Sequence, residues 1–282
     1  MTLPPLNIDL IVKNIGKLPS PSAVIVDLLR VIDDEEISST ALARIITRDQ
    51  AIVVRMLRIA NSSFYGMAGK VGSVADAIAV LGLRTVRTLA AGAAISGSLG
   101  STLAPGFELK RFWRHSIATA VGARLLARRL NQGEGAAFVA GLIHDIGHLM
   151  LACSFPEYAA AVLQYQQEHD DCLSAAERAV LGMDHACIGG ILAERWHFPP
   201  AICQAIRHHH DPSQIPDAPL ARTVYLASIL AQTLEQPGSP EERLRSVPEA
   251  IWSQADLSAA DGEALLDAIE SEFVPLCDIL AG

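Results

Sequence analysis

The stretch Ala140–Leu151, AGLIHDIGHLML, decides how the rest of the chain is read. Apolar residues run through it without strand-like alternation, so it predicts one buried helix. Leu142, Ile143, Ile146, Leu149 and Met150 are its packing residues. Yet His144, Asp145 and His148 stand inside that run, and ionisable groups are costly in a core unless paired or metal-bound. Neighbours differ by about 100° around a helix, so His144 and Asp145 can address one ion. His148, one turn beyond His144, shares its face. Gly141 and Gly147 permit close approach of a neighbouring helix or a ligand, although glycine costs about 1 kcal/mol in a helix interior.

The same helical periodicity extends in both directions, and no segment of useful length alternates with period two, so the chain reads as all-α. Upstream, Ser20 before Pro21 starts one helix, a serine at 38 or 39 starts the next, and Asp49 opens a third that ends in the Asn61–Gly66 signal. Ser73 with Asp76 resembles a capping box, and Gly82 suits a helix end. The Gly-, Ser- and Pro-rich run Leu99–Gly106 marks a boundary. Residues 1–106 are expected to form an N-terminal helical subdomain, and 107–235 a second one carrying the histidines. The segment 236–282 is expected to be a short tail of small capping helices.

The chain has 282 residues, half of them hydrophobic, and a formal net charge of −9. An acidic balance argues against broad nucleic-acid contact. Arg84, Arg87, Arg124, Arg128 and Arg129 are the candidates for such contact, and a solvated face with local ion pairs is the plainer reading. Five scattered cysteines without a CxxC pair are expected to be free and mostly buried thiols. No basic segment leads into a long apolar core at the N-terminus, and the uncharged run Thr88–Phe107 is broken by Pro105 and rich in Gly, Ser and Thr. A cytoplasmic protein without a membrane span is expected.

Nine histidines are present. His115, His144, His148, His185, His208, His209 and His210 cluster around the motifs FWRHS, IHDIGH, MDHAC and RHHHDP. Imidazole and carboxylate together suit borderline divalent ions. His115 then His144–Asp145 resembles the signature of the HD superfamily of metal-dependent phosphohydrolases. LARIITRDQAIVVRMLRIANSSFYG, SVADAIAVLGLRTVRTL and ERAVLGMDHACIGGILAERWHFPPAICQAIRHHHDP extend the likeness to the HDOD family, the HD-related output domain, over roughly residues 15–235.

The resemblance implies an N-terminal bundle packed on an HD-like helical domain. It implies metal ligands at His115, His144, Asp145, His185, His209 and His210, with Asp145 as the bridge between ions. Two positions depart from the two-metal phosphodiesterases of the superfamily: Ser228 stands where a final Asp ligand is expected, and Arg111 where an upstream Glu is expected. The histidine-rich set favours Fe, Mn, Ni or Zn, one ion or two. Two functions follow. The first is a signalling module acting through protein partners, for which HDOD proteins are generally regarded as regulatory. No receiver, PAS or GGDEF-like segment is recognisable, so the signal is expected to arrive through another protein or through assembly, a homodimer being one form. The second is a phosphohydrolase acting on a nucleotide, cyclic dinucleotide or other phosphoester. Asp145, His148 and Arg114, with Arg111, are then the candidates for water orientation and charge stabilisation.

Overall fold

The computed structural model describes residues 9–11, 23–61, 71–96, 104–215, 217–245, 247, 252 and 257–280. No strand occurs among them, and the all-α reading holds. The Ser20–Pro21 start, the stretch 62–66 and most of the 99–106 boundary lie outside the described residues.

Among the described residues, the first helices with both ends defined are α1 (Ala23–Arg30), α2 (Ser39–Ile46), α3 (Gln50–Ala60), α4 (Val74–Leu81) and α5 (Leu83–Ser96). Their starts follow from local hydrogen bonding. Ser38 accepts from the Ala41 amide, Asp49 from those of Ala51 and Ile52, and Ser73 from that of Asp76. The Asp76 carboxylate reaches back to the Gly72 amide, one residue short of a full capping box. Gly82 ends α4 at φ +82°, where a side chain is strained.

The second group is α6 (Leu109–Arg129), α7 (Glu134–Ile143), α8 (Ile146–Ser154), α9 (Pro156–His169), α10 (Leu173–Leu181), α11 (His185–Arg195), α12 (Pro200–His208) and α13 (Pro219–Leu234). Helix α6 is its axis, packing against α7 and α13. The tail is helical. Among its described residues are the short α14 (Pro240–Leu244), whose Ser239–Glu242 capping box is complete, and the 22-residue helix α15 (Ala259–Leu280). That helix lies along α6, burying Leu266, Ile269 and Phe273. A single connected apolar core runs from Ile11 to Cys277.

The opening stretch is not one helix. It breaks at His144–Asp145 into α7 and α8, with the Asp145 carbonyl accepting from the His148 amide. All five expected packing residues are buried, at no more than 3% exposure. Both glycines do admit neighbouring helices. A Cβ on Gly141 would lie 2.8 Å from the Thr119 carbonyl oxygen of α6, and one on Gly147 only 2.0 Å from that of His185. Residues 134–154 are apolar enough to span a membrane by length and composition, but 78% of that window is buried within the protein.

Helix α7 begins unusually. Gly133 supplies no side-chain cap, and the Asp33 carboxylate accepts instead from the Gly135 and Ala136 amides at 3.0 and 3.1 Å. The helix that ends at the histidine–aspartate pair is thus capped from the loop after α1.

The five arginines considered for nucleic acid are turned to internal acceptors. Arg84 pairs with Glu35 and Glu134, Arg128 with Glu134, Arg124 with Glu272, and Arg129 with Asp261. The buried Arg87 donates to the Asp34 carbonyl. Of the five cysteines, Cys203 and Cys277 are buried, Cys153 and Cys187 half-buried, and Cys172 exposed.

Candidate metal centre

Five candidate histidine ligands gather around the Asp145 carboxylate, and helix ends place four of them as well as Asp145 itself. His144 and Asp145 occupy the α7–α8 break, His185 opens α11, and His209–His210 follow the last turn of α12. His115 comes from the middle of α6. Backbone at a break or an end is freed from helical geometry, so successive side chains need not diverge by 100°.

The two oxygens of Asp145 divide the histidines. Oδ2 lies 3.2 Å from His144 Nε2 and 3.8 Å from His115 Nε2. Oδ1 lies 3.2 Å from His185 Nε2 and 3.3 Å from His209 Nε2, and His210 Nε2 is 2.9 Å from His185 Nε2. Two donor groups result, His115–His144–Asp145 and His185–His209–His210, each with its ligand atoms within 4.8 Å of one another. Donors set tetrahedrally about 2.0–2.1 Å from one ion lie roughly 3.4 Å apart, so these spacings suit an ion between them.

The outer contacts point the same way. His144 Nδ1 donates to the Gly141 carbonyl and His209 Nδ1 to the Ile206 carbonyl, both at 2.8 Å. That leaves Nε2 of each as the lone-pair nitrogen, and both are buried without a hydrogen bond. Burial, with His144 as the largest charge contribution, pushes His115 down to about 4. Burial likewise lowers His209. Both are therefore neutral near pH 7 and ready to ligate. Burial opposes the charge on Asp145, but the surrounding histidines, His144 first, hold it well below the usual carboxylate range. His185 behaves oppositely: despite burial, Glu177 and Asp145 hold it well above the usual histidine range. The residues thus fit a divalent metal, with imidazole nitrogens and one ionised carboxylate addressing two positions.

Other expected residues sit apart. His148 does not share the ion-facing side of His144, because the break rotates α8. Its ring packs on Phe107 and lies beside His185 along the cavity wall. Arg114 points away, its exposed guanidinium over the Phe273 ring of α15, and it does not line the cavity. Arg111 pairs with Glu235 at 2.9 Å, so its guanidinium is turned to that carboxylate at the cavity wall and not into the donor groups. Ser228 Oγ approaches His115 Nε2 at 3.4 Å, which places a hydroxyl beside the His115 group. Asp184 is a helix cap, accepting from the Cys187 amide and pairing with Arg178. His208 stays outside both groups.

Glu177 is the residue sequence reading missed. It is 1% exposed and accepts from both the amide and the ring Nδ1 of His185. Its signal was an acid in LSAAERAVL on the same helical face as buried Leu181. A cavity of about 640 Å³ opens onto the centre. Its polar wall includes Glu108, Glu177, Glu235 and Arg111, and its apolar wall Phe107, Phe112 and Leu163.

The chain matches the HDOD domain over residues 18–212. It resembles a Shewanella amazonensis protein provisionally described as a phosphohydrolase, at 26% identity and a TM-score of 0.80, covering 96% of this chain and 97% of that one. An HDOD domain protein of unknown function from Geobacter sulfurreducens shares the fold at 24% identity and a TM-score of 0.78, over 98% and 97% of the two chains. An uncharacterised Treponema pallidum protein is 25% identical over 241 residues, 84% of this chain and 46% of that protein. The chain spans less than half the length of the curated relatives it matches.

Proposed function

The chain belongs to the HDOD domain family, and from that premise we propose that it is a regulatory module of bacterial signalling with a retained HD-type metal centre. In this reading His115, His144, Asp145, His185, His209 and His210 hold one or two ions of Fe, Mn, Ni or Zn. The observation that carries it is the division of the Asp145 oxygens between two histidine groups, with buried, unbonded Nε2 atoms on His144 and His209. A pure packing role leaves those nitrogens at a cost of about 1–3 kcal/mol each. Residues 1–106 then serve as the subdomain that meets protein partners, and a homodimer is one such assembly.

The regulatory reading is preferred over catalysis because the His115 group has Ser228, a neutral hydroxyl, where a second carboxylate would offset the ionic charge. The cavity over the centre favours a second reading, a phosphohydrolase acting on a nucleotide, cyclic dinucleotide or other phosphoester. Bound ions would supply Lewis-acid polarisation and water activation. Asp145 would hold the two positions in register, His148 would line the approach, and the apolar wall would exclude water from the ester. Arg114, lying over Phe273, takes no part.

The test is metal content by mass spectrometry on protein purified without chelator or nickel resin, beside the double variant His144→Ala, Asp145→Ala. Near-stoichiometric metal, lost in the variant, is expected. A metal-free protein would sink the reading. Phosphoester turnover by the metal-replete protein, abolished in the variant, would replace the regulatory reading with the hydrolytic one.

A further inference from the structure

Resting on that metal-centre reading, we propose that Glu177 is a positioning residue that makes the His185–His209–His210 group the tighter of two ion positions. The geometry is specific. One oxygen, Oε2, accepts from the His185 backbone amide at 2.8 Å and from its ring Nδ1 at 2.6 Å. A single carboxylate thus fixes both the first residue of α11 and the direction of its ring. The opposite nitrogen, Nε2, is left facing Asp145 Oδ1 at 3.2 Å.

Among the described residues, no carboxylate hydrogen bond of this kind is seen behind the other ligand histidines. His144 and His209 are held by neutral carbonyls. His115 has the Ser228 hydroxyl 3.4 Å from its Nε2. Hydrogen bonds to an ionised group are roughly twice as strong as neutral ones, and a carboxylate behind a ligating imidazole raises its basicity. The His185 group therefore has a charged outer support, while the His115 group has none and lacks a second carboxylate.

The burial of Glu177 is consistent with this role. Glu177 is 1% exposed, and its other oxygen, Oε1, is buried without a hydrogen bond. A buried carboxylate with an unsatisfied oxygen needs positive charge close by. An ion on the far side of the His185 ring would keep positive charge beside this carboxylate.

The experiment is a cobalt(II) titration of the full, chelator-stripped chain, followed by visible absorption and by competition with a chromophoric chelator. Wild type is expected to show a tight and a weak class of site. Glu177→Gln keeps the size and can still accept from both N–H groups, but it is neutral. It is expected to weaken the tight class by about 10–100-fold, shift the cobalt band of that class, and leave the weak class and the circular dichroism of the metal-free protein unchanged. Glu177→Asp, whose carboxylate is withdrawn by one methylene, is expected to show the same loss in smaller degree, and it decides the matter should the Gln variant not fold. Wild-type affinity in both classes, or an equal loss in both, would overturn the positioning role. Cobalt uptake absent from wild type itself would overturn the metal reading beneath it.

Discussion

Gly147→Ala is the sharpest test of how the centre is built. A Cβ at this position would lie 2.0 Å from the His185 carbonyl oxygen and 2.6 Å from the Gly189 nitrogen, both backbone atoms of α11. Ordinary contact begins near 3.4 Å, so the α8 and α11 backbones must part by about 1.4 Å in an interior packed like a crystal. Overpacking of this kind costs about 1–3 kcal/mol. Taking the upper end, a chain of this size should melt about 6–12 °C lower. The same displacement carries His185 away from Asp145. Their present 3.2 Å would approach the limit of about 4.2–4.4 Å at which two donors reach one ion. Metal affinity should fall at least tenfold. Thermal melting of the chelator-stripped variant and its metal content by mass spectrometry read the two effects separately. Gly72→Ala is the control, since its Cβ would meet nothing closer than Asp76 Oδ2 at 3.6 Å, and it should melt within about 2 °C of wild type. A Gly147→Ala protein that melts with wild type and keeps its metal would refute the close-packing argument.

Three further outcomes are expected. Ser228→Asp places a carboxylate beside His115 and should strengthen the weaker class of metal site by about tenfold without altering the tighter one, read by the same cobalt titration; no change would remove Ser228 from the site. His185 is held well above the usual histidine range by Glu177 and Asp145, so at pH 7 it carries a proton that a metal on Nε2 must displace. Calorimetry in buffers of different ionisation enthalpy should find about one proton released, and affinity should rise with pH until the His185 proton is gone; release of none would contradict this. The charged His185 pair correspondingly stabilises the metal-free fold below the unfolded histidine pKa, and that contribution is lost as pH rises through the folded one. Asp33→Ala removes the acceptor for the Gly135 and Ala136 amides and should cost about 1 kcal/mol, a melting shift of about 2–4 °C; an unchanged melting point would deny the cap.

Local chemistry was the legible part of this chain. Ser38, Asp49, Ser73 and Gly82 each terminate a helix through atoms within a few residues, and short-range patterns carry that information. The alignment of six candidate ligands on known motifs also led to residues that do meet in space. What stayed hidden depends on distant partners. The break at His144–Asp145 is invisible to hydrophobic periodicity, because both sides of it are equally apolar. Arg111 and Arg114 neighbour a ligand in sequence, but Glu235 and Phe273, more than a hundred residues away, decide where they point. Glu177 reads as one acid on an amphipathic helix until His185 is found against it. The long α15 shows the same limit, since its partner surface on α6 is assembled only in three dimensions.

The Asp33 cap has a thermodynamic meaning beyond holding a helix end. It makes the loop after α1 a boundary condition on α7, whose far end delivers His144 and Asp145. Withdrawing it costs on the order of 1 kcal/mol, and that sets a ceiling on the coupling this one contact can carry, about fivefold in affinity. Linkage is reciprocal, so whatever fraction of that fivefold a ligand on the first helices exerts on metal uptake, metal uptake exerts on that ligand. A switch steeper than this requires a second strand of communication between the two halves, and the Glu134 carboxylate, shared by Arg84 of α5 and Arg128 of α6, is the nearest one.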